Sequence, residues 1–231
     1  MGDQETSVGL RIFRHIERPP REVTAGFAEL DNTFATDAMH RFLGMAGNIR
    51  PLAPGMRCCG PATTVRVPPG DNLMVYAAME VAQPGDVLVI ESRGFTAVAQ
   101  WGDQTSLAAR ELGLAGVVMD GSVRDPEGIV EVGLPVFSLP VVVPNGALKD
   151  GPGEVNVPVA VGGVPVLPGD LILGGASGVV VVPRLDAAAV LARARALAAA
   201  EPGKMAKLGG GHPLPDELHE WLEAKGVEVV G

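Results

Sequence analysis

Apolar positions along this chain recur at two alternating periods, the odd-even spacing of strands and the three-to-four spacing of helices. Thr36 can cap a short helix whose apolar positions Ala38, Met39, Phe42 and Leu43 recur at helical spacing, closed by Gly44. After a Pro/Gly-rich connection, Ala62–Val67 alternates as a strand. Asp71 then offers an N-cap to Asn72–Ala82, with Leu73, Met74, Ala77, Ala78 and Val81 on one face. Pro84-Gly85 ends that helix, and Asp86–Glu91 follows as a strand. The cycle repeats: Phe95–Gln100 reads as a strand, Gln104–Leu112 as a helix closed by Gly113, and Gly116–Met119 as a strand. Arg124-Asp125 opens a short helix, and Pro135–Leu139 is a further strand. Strands alternating with helices of this length predict an α/β fold with βα units on a largely parallel sheet.

From Val155 the character changes. Val155–Val161, Val164–Val166, Leu171–Leu173 and Val179–Val182 are short strands separated by Gly and Pro, which suits a smaller β layer. Asp186 then caps an Ala-rich helix to about Ala200, and the joint Gly209-Gly210-Gly211 leads to a terminal amphipathic helix begun at Pro215. The expected organisation is one domain over 1–231, with a core at about 33–183 and a helical extension at about 184–231.

Composition narrows the class. The apolar fraction of 47% against 19% charged residues is too high for disorder, and with only 4% aromatics the core must come from Val, Leu, Ile and Ala. Lys plus Arg number 18 against 27 Asp plus Glu, a net charge of −9 that repels phosphate backbones, so no nucleic-acid partner is expected. Apolar runs such as Val87–Ile90 and Val179–Val182 are strand-length, which argues against a membrane partner. Met1–Arg21 has no apolar run of the secretory type, and the two cysteines, Cys58 and Cys59, are adjacent, a poor geometry for a disulfide and a poor zinc set. The chain therefore reads as cytoplasmic, with reduced thiols.

The stretch Trp101–Asp125 carries the candidate chemistry. Both Gly102–Thr105 and Asp120–Asp125 follow strands, and loops beyond the carboxyl ends of strands form the ligand crevice of an open α/β sheet. Gly102 lets a ligand approach the backbone, and the amides of Gln104 and Thr105 at a helix start can receive a carboxylate. Arg124 adds a planar cation, while Asp103 and Asp125 are hard oxygen donors suited to Mg²⁺ or Mn²⁺. Such a set could hold a small 2-oxo acid and stabilise an enolate. Each group also has a purely structural explanation: Asp103 as a helix cap, Asp120-Gly121 as a turn, Arg124 with Asp125 as a surface ion pair. Spacing physics alone favours those explanations.

The sequence also resembles the RraA-like family, which includes 4-hydroxy-4-methyl-2-oxoglutarate / 4-carboxy-4-hydroxy-2-oxoadipate aldolases, oxaloacetate decarboxylases and regulators of ribonuclease E activity. The likeness covers most of Thr33–Pro183. It is carried by Thr36-Asp37-Ala38-Met39, Gly60-Pro61-Ala62, Gly70-Asp71-Asn72-Leu73 and Gln83-Pro84-Gly85-Asp86-Val87-Leu88. Asp120-Gly121-Ser122-Val123-Arg124-Asp125, Gly133-Leu134-Pro135-Val136-Phe137, Asn156-Val157-Pro158-Val159 and Gly178-Val179-Val180-Val181-Val182-Pro183 complete it. The resemblance implies a layered α-β-β-α sandwich of the swivelling phosphohistidine-domain-like type, with flanking N- and C-terminal helices.

Catalytic members of the family share an acidic residue, a spacer and Arg-Asp, matched here by Asp103, Arg124 and Asp125. By that resemblance Asp125 ligates Mg²⁺ or Mn²⁺, Asp103 holds a metal-bound water, and Arg124 polarises the substrate carbonyl and stabilises the pyruvate enolate. Gly102 and the amides of Gln104 and Thr105 occupy the positions that bind the pyruvyl carboxylate, where relatives usually carry apolar side chains. Relatives form homotrimers or dimers of trimers, with sites at subunit interfaces and a glutamate from the neighbour's C-terminal helix, for which Glu201 is the nearest candidate.

This chain also departs from the pattern. It has Gly174-Gly175-Ala176-Ser177 where many relatives carry acidic residues, and His40 where acidic or polar residues are common. His212 and His219 in the extension either line a neighbouring subunit's site or face solvent. The expected activity is a divalent-metal-dependent lyase releasing pyruvate from a 4-hydroxy-2-oxo diacid or from oxaloacetate. The rival expectation is a non-catalytic protein-binding regulator of ribonuclease E activity; the regulators lack the acidic member of the spaced motif, which Asp103 supplies here. A methyltransferase is rejected because no glycine-rich nucleotide loop follows the first strand.

Overall fold

The computed structural model describes residues 6–211, 213–228 and 230. Its strands are β1 (Leu10–Ile12), β2 (Arg50–Pro51), β3 (Cys58–Arg66), β4 (Val87–Glu91), β5 (Ala99–Trp101), β6 (Gly116–Met119) and β7 (Ser122–Val123). They continue with β8 (Val136–Ser138), β9 (Gly153–Val155), β10 (Val159–Val161), β11 (Val164–Val166), β12 (Leu171–Gly175) and β13 (Gly178–Val182). The helices are α1 (Arg21–Ala28), α2 (Asn32–Ala38), α3 (Leu73–Val81), α4 (Asp103–Glu111), α5 (Pro126–Val132), α6 (Ala187–Gly209) and α7 (Leu218–Ala224).

The fold is mixed α/β, with β3 as its pivot. Its second half pairs in parallel with β4 (Ala62↔Val87 through Arg66↔Glu91), and parallel pairing continues through β6 to β8. Its first half pairs antiparallel with β12, which in turn pairs with β13. Alternation along the parallel strands sends residues to two faces. Val65, Leu88, Ile90, Val117 and Met119 pack with Val75 of α3, Ala109 of α4 and Ile129 of α5. On the opposite face Ala62, Val89, Val118 and Phe137 pack with Val159, Val166, Ile172 and Val181. Leu171, Leu173, Val180 and Val182 meet Phe27, Ala35, Val190 and Leu191 from α1, α2 and α6. Each fully buried aliphatic side chain contributes roughly 1.5–3 kcal/mol relative to exposure, so these three aliphatic cores hold the elements together.

Several boundaries differ from the sequence reading for local reasons. Helix α2 begins at Asn32, not after Thr36, because Asp31 accepts from the backbone N–H of Thr33 at 3.0 Å and caps it. Thr36 lies inside, its hydroxyl donating to the Asn32 carbonyl, and His40, Arg41 and Leu43 follow the helix with φ of 57°, 66° and 64°. The strand expected at Phe95–Gln100 shortens to Ala99–Trp101, since a turn at Arg93-Gly94 precedes it. Val155–Val161 is two strands, broken where Asn156 takes φ 57° and its amide donates to the Phe13 carbonyl at 2.7 Å. Asp186 makes no side-chain cap, and α6 runs through Pro202 to Gly209 rather than ending near Ala200. Helix α7 starts after Pro215 and has no buried residue. No helix among the described residues is long and apolar enough to cross a membrane.

Candidate active site

The two loops singled out by sequence meet because β5 and β7 pair in parallel, with Ala99 opposite Ser122 and Trp101 opposite Val123. The register is held from beneath by Trp101, which is buried and whose indole N–H donates to Ser106 Oγ at 2.6 Å. Gly102 leaves β5 as the N-cap of α4 in an extended conformation, and its N–H donates to Thr105 Oγ1 at 2.9 Å. Asp103 is thus the first residue of α4 and not its cap. Its Oδ1 accepts from the Gln104 N–H at 2.6 Å, so of the two amides expected to receive a carboxylate, that of Gln104 already has an acceptor.

Asp125 precedes α5 with φ 54°, a left-handed conformation that Asp tolerates at small cost. Its side chain makes no cap, which leaves the carboxylate to pair with Arg124 Nε at 3.1 Å. Both side chains are roughly half exposed, at 42% and 45%, so an ion pair there contributes little to stability and stays reachable from solvent. The missing side chain of Gly102 makes this arrangement possible. A Cβ at that position would stand 3.2 Å from Asp125 Oδ2 and 3.4 Å from Arg124 Cγ. Gly146 does the same for the guanidinium, since a Cβ there would lie 2.7 Å from Arg124 Nη1.

Gly102, Asp103, Gln104, Thr105 and Arg124 line one open cavity of about 390 Å³, and Asp125 flanks it through its contacts with Arg124 and Gly102. Asp103 reaches the edge of the cavity with its Cβ packed towards Gly128 of α5. The carboxylates of Asp103 and Asp125 therefore approach the cavity mouth from the starts of two different helices. Both are hard oxygen donors, although no group of three or more His, Cys, Asp or Glu that could hold a metal ion occurs among the described residues. Such a set suits Mg²⁺ or Mn²⁺, which keep several waters or substrate oxygens in their shell.

The sequence reading missed four further residues that line the cavity, Asn72, Tyr76, Gln100 and Lys149. Asn72 and Tyr76 fell there only within the helix read at Asn72–Ala82, and Lys149 lies in a Gly/Pro-rich connection with no periodicity. Asp120, at the turn after β6, does not line the cavity. It accepts from the Ser92 N–H at 2.5 Å, and burial pushes its carboxyl above the ordinary Asp range against the opposing effect of the Ser92 and Gly94 amides.

Other candidates fall elsewhere. Glu201 sits on the distal part of α6, outside the residues lining the cavity. His40 Nε2 lies 3.0 Å from Arg193 Nη1, His219 is exposed on α7, and His212 lies outside the described residues. The Gly174 position has no space for an acidic side chain, since a Cβ there would stand 2.6 Å from the Phe137 ring. Cys58 and Cys59 are free thiols, both pushed up to about 12 by burial.

A family model described as RraA-like, Aldolase/RraA, matches residues 33–181, which include both loops. The chain belongs to this family. A protein of Halalkalibacterium halodurans, provisionally named a 4-hydroxy-4-methyl-2-oxoglutarate aldolase, is 38% identical over 169 residues, covering 73% of this chain and 80% of that protein. Among solved structures, an uncharacterized protein from Pseudomonas syringae pv. tomato superposes with a TM-score of 0.74 at 29% identity, covering 85% of this chain and 96% of that one. Streptomyces coelicolor RraAS2, described as an unusual member of the RNase ES inhibitor RraA protein family, superposes with a TM-score of 0.73, also at 29% identity, over 81% of this chain and 98% of its own. The similar proteins thus include one provisionally named an aldolase and one named within an inhibitor family.

Proposed function

We propose that this RraA-like protein is a divalent-metal-dependent carbon–carbon lyase of the pyruvate aldolase type. It would cleave a 4-hydroxy-2-oxo diacid to pyruvate and decarboxylate oxaloacetate through a shared enolate. The observation that carries this reading is the pairing of β5 with β7, which sets Arg124 beside Asp103 and Asp125 at one cavity. Asp125 and Asp103 would hold Mg²⁺ or Mn²⁺, and the ion would supply positive charge against the negative charge that develops on the substrate.

The protein's own groups divide the remaining work. The helix start at Gly102–Thr105 receives the 2-oxo acid's carboxylate, with the Thr105 N–H as donor and the positive end of the helix dipole favouring the charge. Arg124 donates to the C2 oxygen, where the electron pair of the breaking C3–C4 bond collects, and so favours the enolate over the ground state. A water held by Asp103 takes the proton of the C4 hydroxyl as the C3–C4 bond breaks and C4 leaves as a carbonyl. It then returns a proton to C3 to release pyruvate; from oxaloacetate C4 leaves as CO₂ and the water supplies the C3 proton. By family resemblance the working form is a homotrimer or a pair of trimers, with Glu201 or a nearby residue reaching a neighbour's site.

Pyruvate release from oxaloacetate and from 4-hydroxy-2-oxo diacids, followed by coupling to lactate dehydrogenase, tests the reading. Release should require Mg²⁺ or Mn²⁺, vanish on chelation, and fall at least about a hundredfold in Arg124→Ala. Undiminished turnover in chelator or in that variant sinks the assignment. A second reading, a non-catalytic inhibitor of a ribonuclease, draws on the name of the Streptomyces relative. It would be favoured by ribonuclease inhibition with no pyruvate release from any of these substrates.

A further inference from the structure

We propose that the C-terminal helix α7 of one copy of this chain seats in a groove between α2 and α6 of a second copy. The inference is independent of the lyase reading, because the groove and the candidate cavity share no lining residue.

The acceptor is a groove of about 340 Å³ whose lining includes Met39, Phe42, Leu43, Pro183, Val190 and Arg193. It belongs to the layer of α1, α2 and α6, whereas the candidate cavity opens beside α3 and α4. The seat is therefore distinct from any contact a neighbour makes with that cavity. Phe42 is 72% exposed at the groove, and the segment presenting it is strained. His40, Arg41 and Leu43 all take left-handed backbone, half of the six non-glycine residues that do so among the described residues. Such conformations persist where the surrounding structure holds a side chain in a set place, and here they hold an aromatic ring in water. The rim is basic. Arg41 pairs with Asp37 only at 3.4 Å on an exposed surface, Arg193 stands 3.0 Å from His40, and Asp186 is the one acid among the lining residues.

The occupant is argued from α7 itself. Leu218, Trp221 and Leu222 fall on one face, and Asp216, Glu217, Glu220 and Glu223 surround it. No residue of α7 is buried and Trp221 is 54% exposed, so this apolar face is uncovered among the described residues. Its own groove is far away. The ion pair of Lys207 with Asp216 holds the start of α7 to the distal end of α6, and from Arg193 to Lys207 that helix rises roughly 20 Å. An acidic helix with an aromatic anchor matches an apolar groove with a basic rim. Between copies that each carry −9, such local complementarity also offsets the general repulsion.

Cross-linking of the full chain carrying Ala189→Cys in the groove and Leu222→Cys on α7, with a short bis-maleimide, tests the proposal. The product on a denaturing gel should be covalent multimers joining the two positions between chains, identified by peptide mass. Adding Phe42→Asp, with an unchanged melting temperature as the control for folding, should lower the yield at least about fivefold. Trp221→Asp should do the same from the other side. No cross-link, a cross-link formed only within single chains, or a yield indifferent to both aspartate variants overturns the proposal.

Discussion

The backbone N–H of Arg124 donates to the carbonyl of Trp101 at 3.0 Å, joining two loops that lie 23 residues apart in sequence. Because Trp101 immediately precedes Gly102 and Asp103, this bond ties the guanidinium to the helix start that would receive a carboxylate. The site therefore depends on backbone register as much as on its charged side chains.

Gly146→Ala tests that dependence. The new Cβ would meet Arg124 Nη1 at 2.7 Å and force the guanidinium out of its place, while the protein's three cores are untouched. Pyruvate release should fall about ten- to a hundredfold, with a melting temperature within a few degrees of the native value. Full activity in this variant would show that the position of Arg124 is not required.

Asp125→Asn tests the metal assignment separately from turnover. Removing one hard anionic donor from a two-carboxylate set should weaken Mn²⁺ binding at least about tenfold, read by electron paramagnetic resonance of free Mn²⁺. The ion pair it breaks is half exposed, so the folded state should lose less than about 1 kcal/mol. Unchanged Mn²⁺ affinity would remove Asp125 from the ligand set.

Glu154 sets an acid limit on stability. Burial raises its carboxyl, but the hydrogen bond from Arg11 and the charges of Arg11 and Arg66 outweigh burial and hold it below the ordinary Glu value of 4.5. A lowered folded-state value means the contribution is present above the unfolded value and is lost as pH falls through the folded one. Urea midpoints should therefore decline below about pH 4.5, and Glu154→Gln should flatten that decline. A variant whose midpoints track the native curve at every pH would exclude this pair as the cause.

The thiols should be inert. With both pushed up to about 12, only about one part in ten thousand of either cysteine is thiolate at pH 8. Ellman's reagent should leave the native protein unmodified over minutes and titrate two thiols once urea unfolds it. Rapid modification of the native state would contradict their burial.

The sequence carried the parallel βα core because period and punctuation are local properties: Asp86–Glu91, Gly116–Met119 and Pro135–Leu139 each reappear as strands within a residue or two. It was less legible where a side chain's partner is distant. Thr36 looked like a helix cap, but Asp31 had the suitable backbone, and the apparently continuous Val155–Val161 breaks at Asn156 because its amide reaches Phe13. Asp103, Arg124 and Asp125 stood out through their spacing and family resemblance, which says nothing of the residues from other elements that line the same cavity.

By itself, the sequence determined the α/β class, the aliphatic character of the core and the identity of the charged residues on the two loops, since these follow from composition and neighbours a few positions apart. Only the tertiary structure decided that β5 pairs with β7, that Gly102 and Gly146 make room for Asp125 and Arg124, and that Lys149 and Asn72 line the same cavity. Those facts depend on residues tens of positions apart arriving within a few ångströms, and no local period records such a distance.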